Sequence, residues 1–414
     1  RNTKPNLVKL NIINKRRSLL DFKNQPAIVG AIKLAKELNI KIFLIGGPLR
    51  DIFLGKTVLD FDLAVSGEVR KFGKILAERL NGKFIYHPQF LTGKIIYNSN
   101  YLDIAHLRDE IYERPGALPK VIPINDIFTD LKRRDFTINA FAYDLLEDKI
   151  IDPFSGIKDL KRKKIKILHE KSFIDDPTRI FRAIRFAQRF NFKIEKKTLV
   201  LLKKAIKESY LTTISYQRVF HELNLILKEK KFDKMLSSLS RLGVLKKIFN
   251  KSLYHKDIQQ LKRLKNFKIP IEFVFIYLLY FLNFKEAKIL KKEEAKVIED
   301  LNYFKKIKRR LLKTKRYSEI YQLLSLFSSS TLKILYALES SLRRKIKIYE
   351  KIKEIKPQID GGELKKLFEM GVVKNLKEKD FSQILLHLKL KKIDGKLKDK
   401  EDEIKEVIKW TRGH

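Results

Sequence analysis

The first 150 residues switch repeatedly between two hydrophobic periods. Five short runs rich in β-branched and aromatic residues read as strands: KIFLIGG, FDLAVSG, KFIYH, GKIIYNS and YLDIAHL. Between them, Ala31–Leu38 and Val69–Leu80 carry apolar residues at helical spacing. This alternation predicts an α/β domain with a mixed sheet over residues 1–150, of which the first ~25 residues form a basic extension. After DPFSG the period becomes helical, and residues 251–414 are helical almost throughout, with breaks expected at Pro357 and Gly361-Gly362. The predicted class is α+β: one sheet-containing domain (1–150), a helical segment (151–250) and a further helical region (251–414). No fixed-period repeat is present.

Charge narrows the partners. The 414 residues hold 91 Lys+Arg against 49 Asp+Glu, a net +42. Residues 251–414 account for 41 of those cations and 22 of the anions, so the excess covers both halves of the chain. A long polyanion is the first partner this suggests. An anionic membrane surface is the second, and a lysine-rich proteome would explain the excess without any partner. No amphipathic anchor stands out, so no membrane association is expected. The longest apolar run, IEFVFIYLLYFLNF, carries Glu272 and is too short to span a bilayer. The N-terminus lacks a signal-peptide core, and a cytoplasmic location is expected. The absence of Cys excludes disulfides, thiolate metal sites and Cys nucleophiles. Seven His without an HxxxH pair argue against zinc.

Candidate chemistry concentrates in four segments. In FLIGGPLRDIFLGKTVLDFDLAV an apolar strand runs into Gly46-Gly47 and a helical pattern starts near Leu49. Paired glycines at such a turn let backbone N–H groups approach a phosphate, and Arg50 reaches the same anion. Asp60 and Asp62 flank Phe61 in a strand-like run, so both carboxylates project to one face and Phe61 to the core. Two carboxylates on one strand face suit divalent cations bound to a nucleoside triphosphate. Asp103, in YLDIAHL, becomes a third if its strand neighbours that of Asp62. DLKRRDFTINAFAYDL supplies Arg133, Arg134, Asp135 and Asn139, with Phe136, Ile138 and Phe141 expected in the core. In IDDPTRIFRAIRFAQRFNFKI, Asp175 is expected to cap a helix reaching Phe190, with Arg179, Arg182, Arg185 and Arg189 as a cationic stripe. Arg218 and Glu222, four residues apart in SYQRVFHELNLIL, are spaced for a salt bridge along a helix, with a functional role as the alternative.

GGPLRDIFLGKTVLDFDLAV resembles the signature of the class II tRNA nucleotidyltransferase and bacterial poly(A) polymerase family of the DNA polymerase β superfamily. Pro48-Leu49 departs from its usual form. RRDFTINA and DPFSGIKDL resemble further motifs, and IDDPTR resembles the family's EDxxR, with Asp175 in place of its Glu. The match covers about residues 40–230. It implies a nucleotidyltransferase head, a neck at 151–250 that recognises the base and binds RNA, and a tRNA-binding body and tail beyond. Two Mg²⁺ would be held by Asp60, Asp62 and Asp103. Gly46, Gly47, Arg50, Arg133, Arg134, Asp135, Asn139 and Arg182 would surround the nucleotide. Asp176 and Arg179 would offer hydrogen bonds to the base edge of ATP or CTP. Arg108–Val121 resembles the family's flexible loop. The expected activity is addition of all or part of the 3′-terminal CCA to tRNA, gripped by its acceptor and T arms, with no obligate protein partner. A poly(A) polymerase shares every one of these motifs. A non-catalytic basic RNA-binding protein on the same scaffold is the more remote alternative.

Overall fold

The computed structural model describes residues 19 and 21–412, apart from 57, 59, 60, 285 and 374–379. The chain divides into two compact units, residues 1–252 and 253–414.

The first unit is built on a seven-stranded sheet of order β3-β4-β5-β2-β1-β8-β9. Its strands are β1 (Ile42–Ile45), β2 (Phe61–Val65), β3 (Lys83–His87), β4 (Thr92–Tyr97), β5 (Asn100–His106), β8 (Ala142–Asp144) and β9 (Lys149–Ile151). The first five coincide with the runs picked out by hydrophobic alternation. All pairs are antiparallel except β2–β5, which makes the sheet mixed. The helices Pro26–Glu37 and Val69–Arg79 bury Ala31, Leu34, Phe72 and Leu76. Phe61, Leu63, Ile104 and Phe43 are buried as well, so Phe61 does enter the core.

Helices then dominate. Asp152 accepts from the amides of Gly156 and Ile157 and starts the helix Gly156–Lys161. The helix Thr178–Phe190 buries Ile180, Ala183, Ile184 and Ala187 as its spacing predicts. It ends at Asn191 in the left-handed conformation. Phe136 packs edge-on against Phe186 at 6.0 Å, which fixes this helix to the RRDFT segment.

In the second unit the described residues form helices and short turns with no strand. The apolar run near residue 271 is the helix Ile271–Phe281, whose Val274, Ile276, Leu278 and Leu279 are fully buried. It is a core helix. None of the described helices is long and apolar enough to cross a membrane. Pro357 lies in a break between helices, but Gly361-Gly362 open the helix Gly361–Glu369 rather than interrupting one. Asp360 caps that helix by accepting from the amide of Glu363.

Candidate active site

Asp62 projects from β2 and is directly opposite Asp103 on β5 in a parallel pairing. Lys94 on β4 is in turn opposite Asp103. Lys94, Asp103 and Asp62 therefore form one row across three adjacent strands, on one face of the sheet. The Lys94 ammonium is 3.3 Å from Asp103 and 4.2 Å from the centre of the Tyr101 ring. The condition set on Asp103 from sequence, that its strand neighbour that of Asp62, is met. Asp60 lies outside the described residues.

The strand β1 runs directly into the helix Gly46–Phe53, with Gly46 at φ +69°. That conformation is costly for any residue with a Cβ. A Cβ on Gly46 would stand 3.5 Å from both Asp62 Oδ2 and Arg134 Nη1, so this turn forms a wall of the site. The helix starts at Gly46, three residues before the sequence pattern placed it. Arg50 is buried within it. Its Nη1 donates to Asn139 Oδ1 at 2.7 Å and its Nε to Asp51 at 2.9 Å. Its guanidinium also stacks at 4.6 Å over Phe190.

The two arginines of RRDFT share an anchor that sequence reasoning passed over. Asp130, 1% exposed, accepts from Arg133 at 2.8 Å and from Arg134 at 2.7 Å. Its position three and four residues before them on the helix Ile127–Lys132 was the available signal. Burial works to raise its pKa, but Arg134 and Arg133 outweigh it and hold the carboxyl at about 2. Arg133 reaches on to Glu110 at 2.6 Å. Asp135 is also buried. It accepts from Arg182 Nη2 at 2.6 Å, from Asn139 Nδ2 at 2.9 Å and from its neighbour's amide. Burial again opposes ionisation, and Arg182 chiefly keeps the pKa at about 2. Asp135 thus orients Arg182 rather than facing the solvent.

The helix Thr178–Phe190 is capped by Asp176, which accepts from the Thr178 amide at 3.0 Å. Asp175 does not fill that role because it belongs to the preceding short helix, Ser172–Asp175. Arg179 donates to Ser172 Oγ and to the Arg133 carbonyl, each at 2.8 Å. Within the stripe of arginines, Arg179 and Arg185 are buried, Arg182 is half-buried and Arg189 is exposed; Arg182 meets Asp135, Arg185 meets Glu222 at 3.5 Å and Arg189 meets Glu229 at 3.5 Å. The expected pair of Arg218 with Glu222 is replaced by these tertiary partners. Arg218 turns to Asp176 at 2.7 Å and to the Gly116 carbonyl at 2.8 Å. Glu222 is left with Arg185, and burial raises its pKa.

Gly116 sits at the tip of a hairpin that the loop-like composition concealed, formed by β6 (Arg108–Ile111) and β7 (Lys120–Pro123). Its amide donates to the Asp175 carbonyl at 3.2 Å. The hairpin tip is thereby tied to the segment that carries Asp176.

These groups enclose a cavity of about 550 Å³. Among the described residues, every sequence-predicted site residue except Asp103 lines it. Seven arginines face four carboxylates there, an excess suited to a polyphosphate. Glu110, Tyr112 and Phe186 also line it and were not singled out from sequence, as do Arg108 and Arg185, which were named there only as part of the loop and of the arginine stripe. The buried Nε atoms of Arg108, Arg134 and Arg185 have no hydrogen-bond acceptor within the protein. A second cavity of about 380 Å³ adjoins it and contains Asp62, Asp103 and Lys94. Asp62 lines both. Among the described residues no cluster of three metal-ligating side chains occurs. Asp62 and Asp103, in register and open to one cavity, nevertheless offer the hard oxygen donors that Mg²⁺ requires.

Residues 42–166 match the family model described as the poly A polymerase head domain. Residues 191–254 match one described as the probable RNA and SrmB-binding site of polymerase A. An A-adding tRNA nucleotidyltransferase of Aquifex aeolicus is 37% identical over 352 residues, spanning 79% of this chain and 42% of that protein. Among solved structures, a CCA-adding enzyme in apo form II is 30% identical with a TM-score of 0.77, covering 95% of this chain and 98% of that one. The Thermotoga maritima CCA-adding enzyme complexed with tRNA is 29% identical with a TM-score of 0.68, covering 95% of this chain and 98% of that one. The chain spans from a quarter to just over half the length of the first curated relatives it matches.

Proposed function

The chain belongs to the class II tRNA nucleotidyltransferase family, and on that premise we propose that it adds all or part of the 3′-terminal CCA to tRNA from CTP and ATP. The observation that carries this reading is the row of Asp103 and Asp62 at the border of the arginine-lined cavity. A nucleoside triphosphate in that cavity has its phosphates among guanidinium groups while its α-phosphorus lies near carboxylates able to hold cations. The 3′-hydroxyl of the RNA attacks that phosphorus, a P–O bond forms, and pyrophosphate leaves.

Asp62 and Asp103, together with Asp60 of the same motif, are the residues that would hold Mg²⁺, which when bound lowers the pKa of the hydroxyl and offsets the charge of the leaving group. The chain's own groups do the rest. The Gly46 turn admits the phosphates close to the backbone. Arg134 and Arg182, held by Asp130 and Asp135, are pre-oriented and need no rearrangement as charge shifts toward the leaving group. Asp176 and Arg179 line the same cavity and read the base edge, with Arg179 fixed by Ser172 and the Arg133 carbonyl. The tRNA is gripped through its acceptor and T arms, and its presence as substrate places the protein in the cytoplasm in this reading.

Poly(A) addition is the second reading, favoured by the description of the family model over residues 42–166. Incubation with tRNA lacking none, one, two or three terminal nucleotides, with CTP and ATP supplied separately, decides between them. Growth that stops at a completed CCA supports the proposal. Long adenylate tails on any RNA end overturn it.

A further inference from the structure

The second unit contains a cavity of about 820 Å³ that no catalytic group enters. Three segments form it. The helix His255–Asn266 ends at Phe267, followed by Lys268, Ile269 and Pro270. The helix Ser329–Leu338 contributes Leu332, Lys333 and Tyr336, and the helix Arg343–Ile352 contributes Ile346, Lys347 and Lys351. The interior is apolar and aromatic, while four lysines and one carboxylate, Glu350, stand around it. That carboxylate is already paired with Lys353. The site therefore favours a ligand that is flat and apolar at one end and anionic at the other.

The aromatic wall is held in place. Phe267 is 40% exposed, although it is a large apolar ring. It meets the Tyr336 ring edge-on at 6.4 Å. The Arg343 guanidinium lies 4.8 Å from the centre of Phe267 and 5.6 Å from that of Tyr336. Arg343 is itself fixed by donating to the carbonyls of Tyr336, at 3.0 Å, and Ala337. An exposed ring backed by a fixed cation and ringed by lysines has the composition of a stacking platform for a nucleobase, with ammonium groups for the flanking phosphates. The volume is within the range of nucleotide-sized ligand sites.

We infer that this cavity takes an unpaired, unstacked nucleotide of the bound RNA, its base against Phe267 and its phosphates on Lys268, Lys333, Lys347 and Lys351. The inference rests on the tRNA reading above, and adds a contact that does not depend on the 3′ end. An apolar or acyl anion is the other chemistry that such a cavity could hold, and the test separates the two.

The full-length protein is titrated with a tRNA transcript lacking its terminal nucleotides, and incorporation is read in parallel. Phe267→Leu is expected to raise the Kd about tenfold, the loss of one base–aromatic stack. Phe267→Tyr keeps the ring and should restore near-normal affinity, which a merely structural role for Phe267 would not require. Lys333→Met with Lys347→Met should flatten the salt dependence by a slope of about one to two. Photocrosslinking of 4-thiouridine-substituted transcript is expected to join a loop nucleotide to the 267–270 or 333–336 peptides. Unchanged RNA affinity in folded Phe267→Leu, with incorporation intact, overturns this inference alone. Binding of oleate here without competition from RNA overturns it too. Failure of the wild-type protein to extend any transcript counts instead against the tRNA reading.

Discussion

Asp130 and Asp135 show how single residues set the site. Each is buried, each stays ionised because of adjacent arginines, and each has a pKa of about 2. A carboxyl held below its unfolded value contributes stability above that value and loses it as pH falls through the folded pKa. Each group should therefore contribute on the order of 2 kcal/mol at neutral pH. Urea unfolding followed from pH 5 to pH 2 is expected to show a steep fall in stability below about pH 4. A flat profile through that range would show that the arginines do not hold these carboxyls. Arg179 offers a test of base reading. Arg179→Ala is expected to blur the choice between CTP and ATP by about 1–3 kcal/mol, measured as the ratio of kcat/KM for the two. An unchanged ratio would remove Arg179 from that role.

At the scale of elements, the hairpin β6–β7 has one point of very close approach. Gly116 is at φ +72°, and a Cβ there would fall 2.1 Å from Thr213 Oγ1 and 3.0 Å from its backbone carbon. Gly116→Ala cannot keep both its conformation and its contacts with Asp175 and Arg218. Limited proteolysis should cut the variant within the hairpin tip at conditions that spare the parent, and incorporation should fall with it. Equal resistance would show that the tip is not held at Gly116.

The same elements show what a sequence makes legible. β1 to β5 are picked out because the signal is local: β1 is a short continuous apolar run buried on both faces, and the others carry β-branched and aromatic residues within a few positions. The pairing of β2 with β5 joins strands about 40 residues apart, so the meeting of Asp62 with Asp103 could be stated only as a condition. β6 and β7 were hidden by Pro115, Gly116 and Pro119, which read as loop although they only shape the hairpin tip. Local rules also misled where a buried tertiary partner competes. Arg218 and Glu222 are correctly spaced for a helix pair, yet Asp176 and Arg185 claim them. Asp175 lost its capping role to Asp176 by a shift of one residue, the least certain scale for reading a helix start.

For the molecule as a whole, the excess of 42 positive charges is spread over both units. If the lysines track an RNA backbone, affinity must fall steeply with salt, since each neutralised phosphate adds a slope of about 0.7–0.9 in log K against log salt. With six or more such contacts, tRNA affinity should drop about 10³-fold between 50 and 200 mM salt. A drop of less than tenfold would show that these lysines only solvate a helical scaffold.

If nucleotidyl transfer occurs at the carboxylates of Asp62 and Asp103, pyrophosphate release should depend on both. The full-length protein is given ATP, CTP and a tRNA transcript lacking its terminal CCA, alongside Asp62→Asn and Asp103→Asn. The parent protein should release one pyrophosphate per nucleotide added. Release should fall by at least about 10³-fold in Asp62→Asn and by a large factor in Asp103→Asn, with tRNA binding retained in both. Undiminished release by Asp62→Asn would place the chemistry elsewhere.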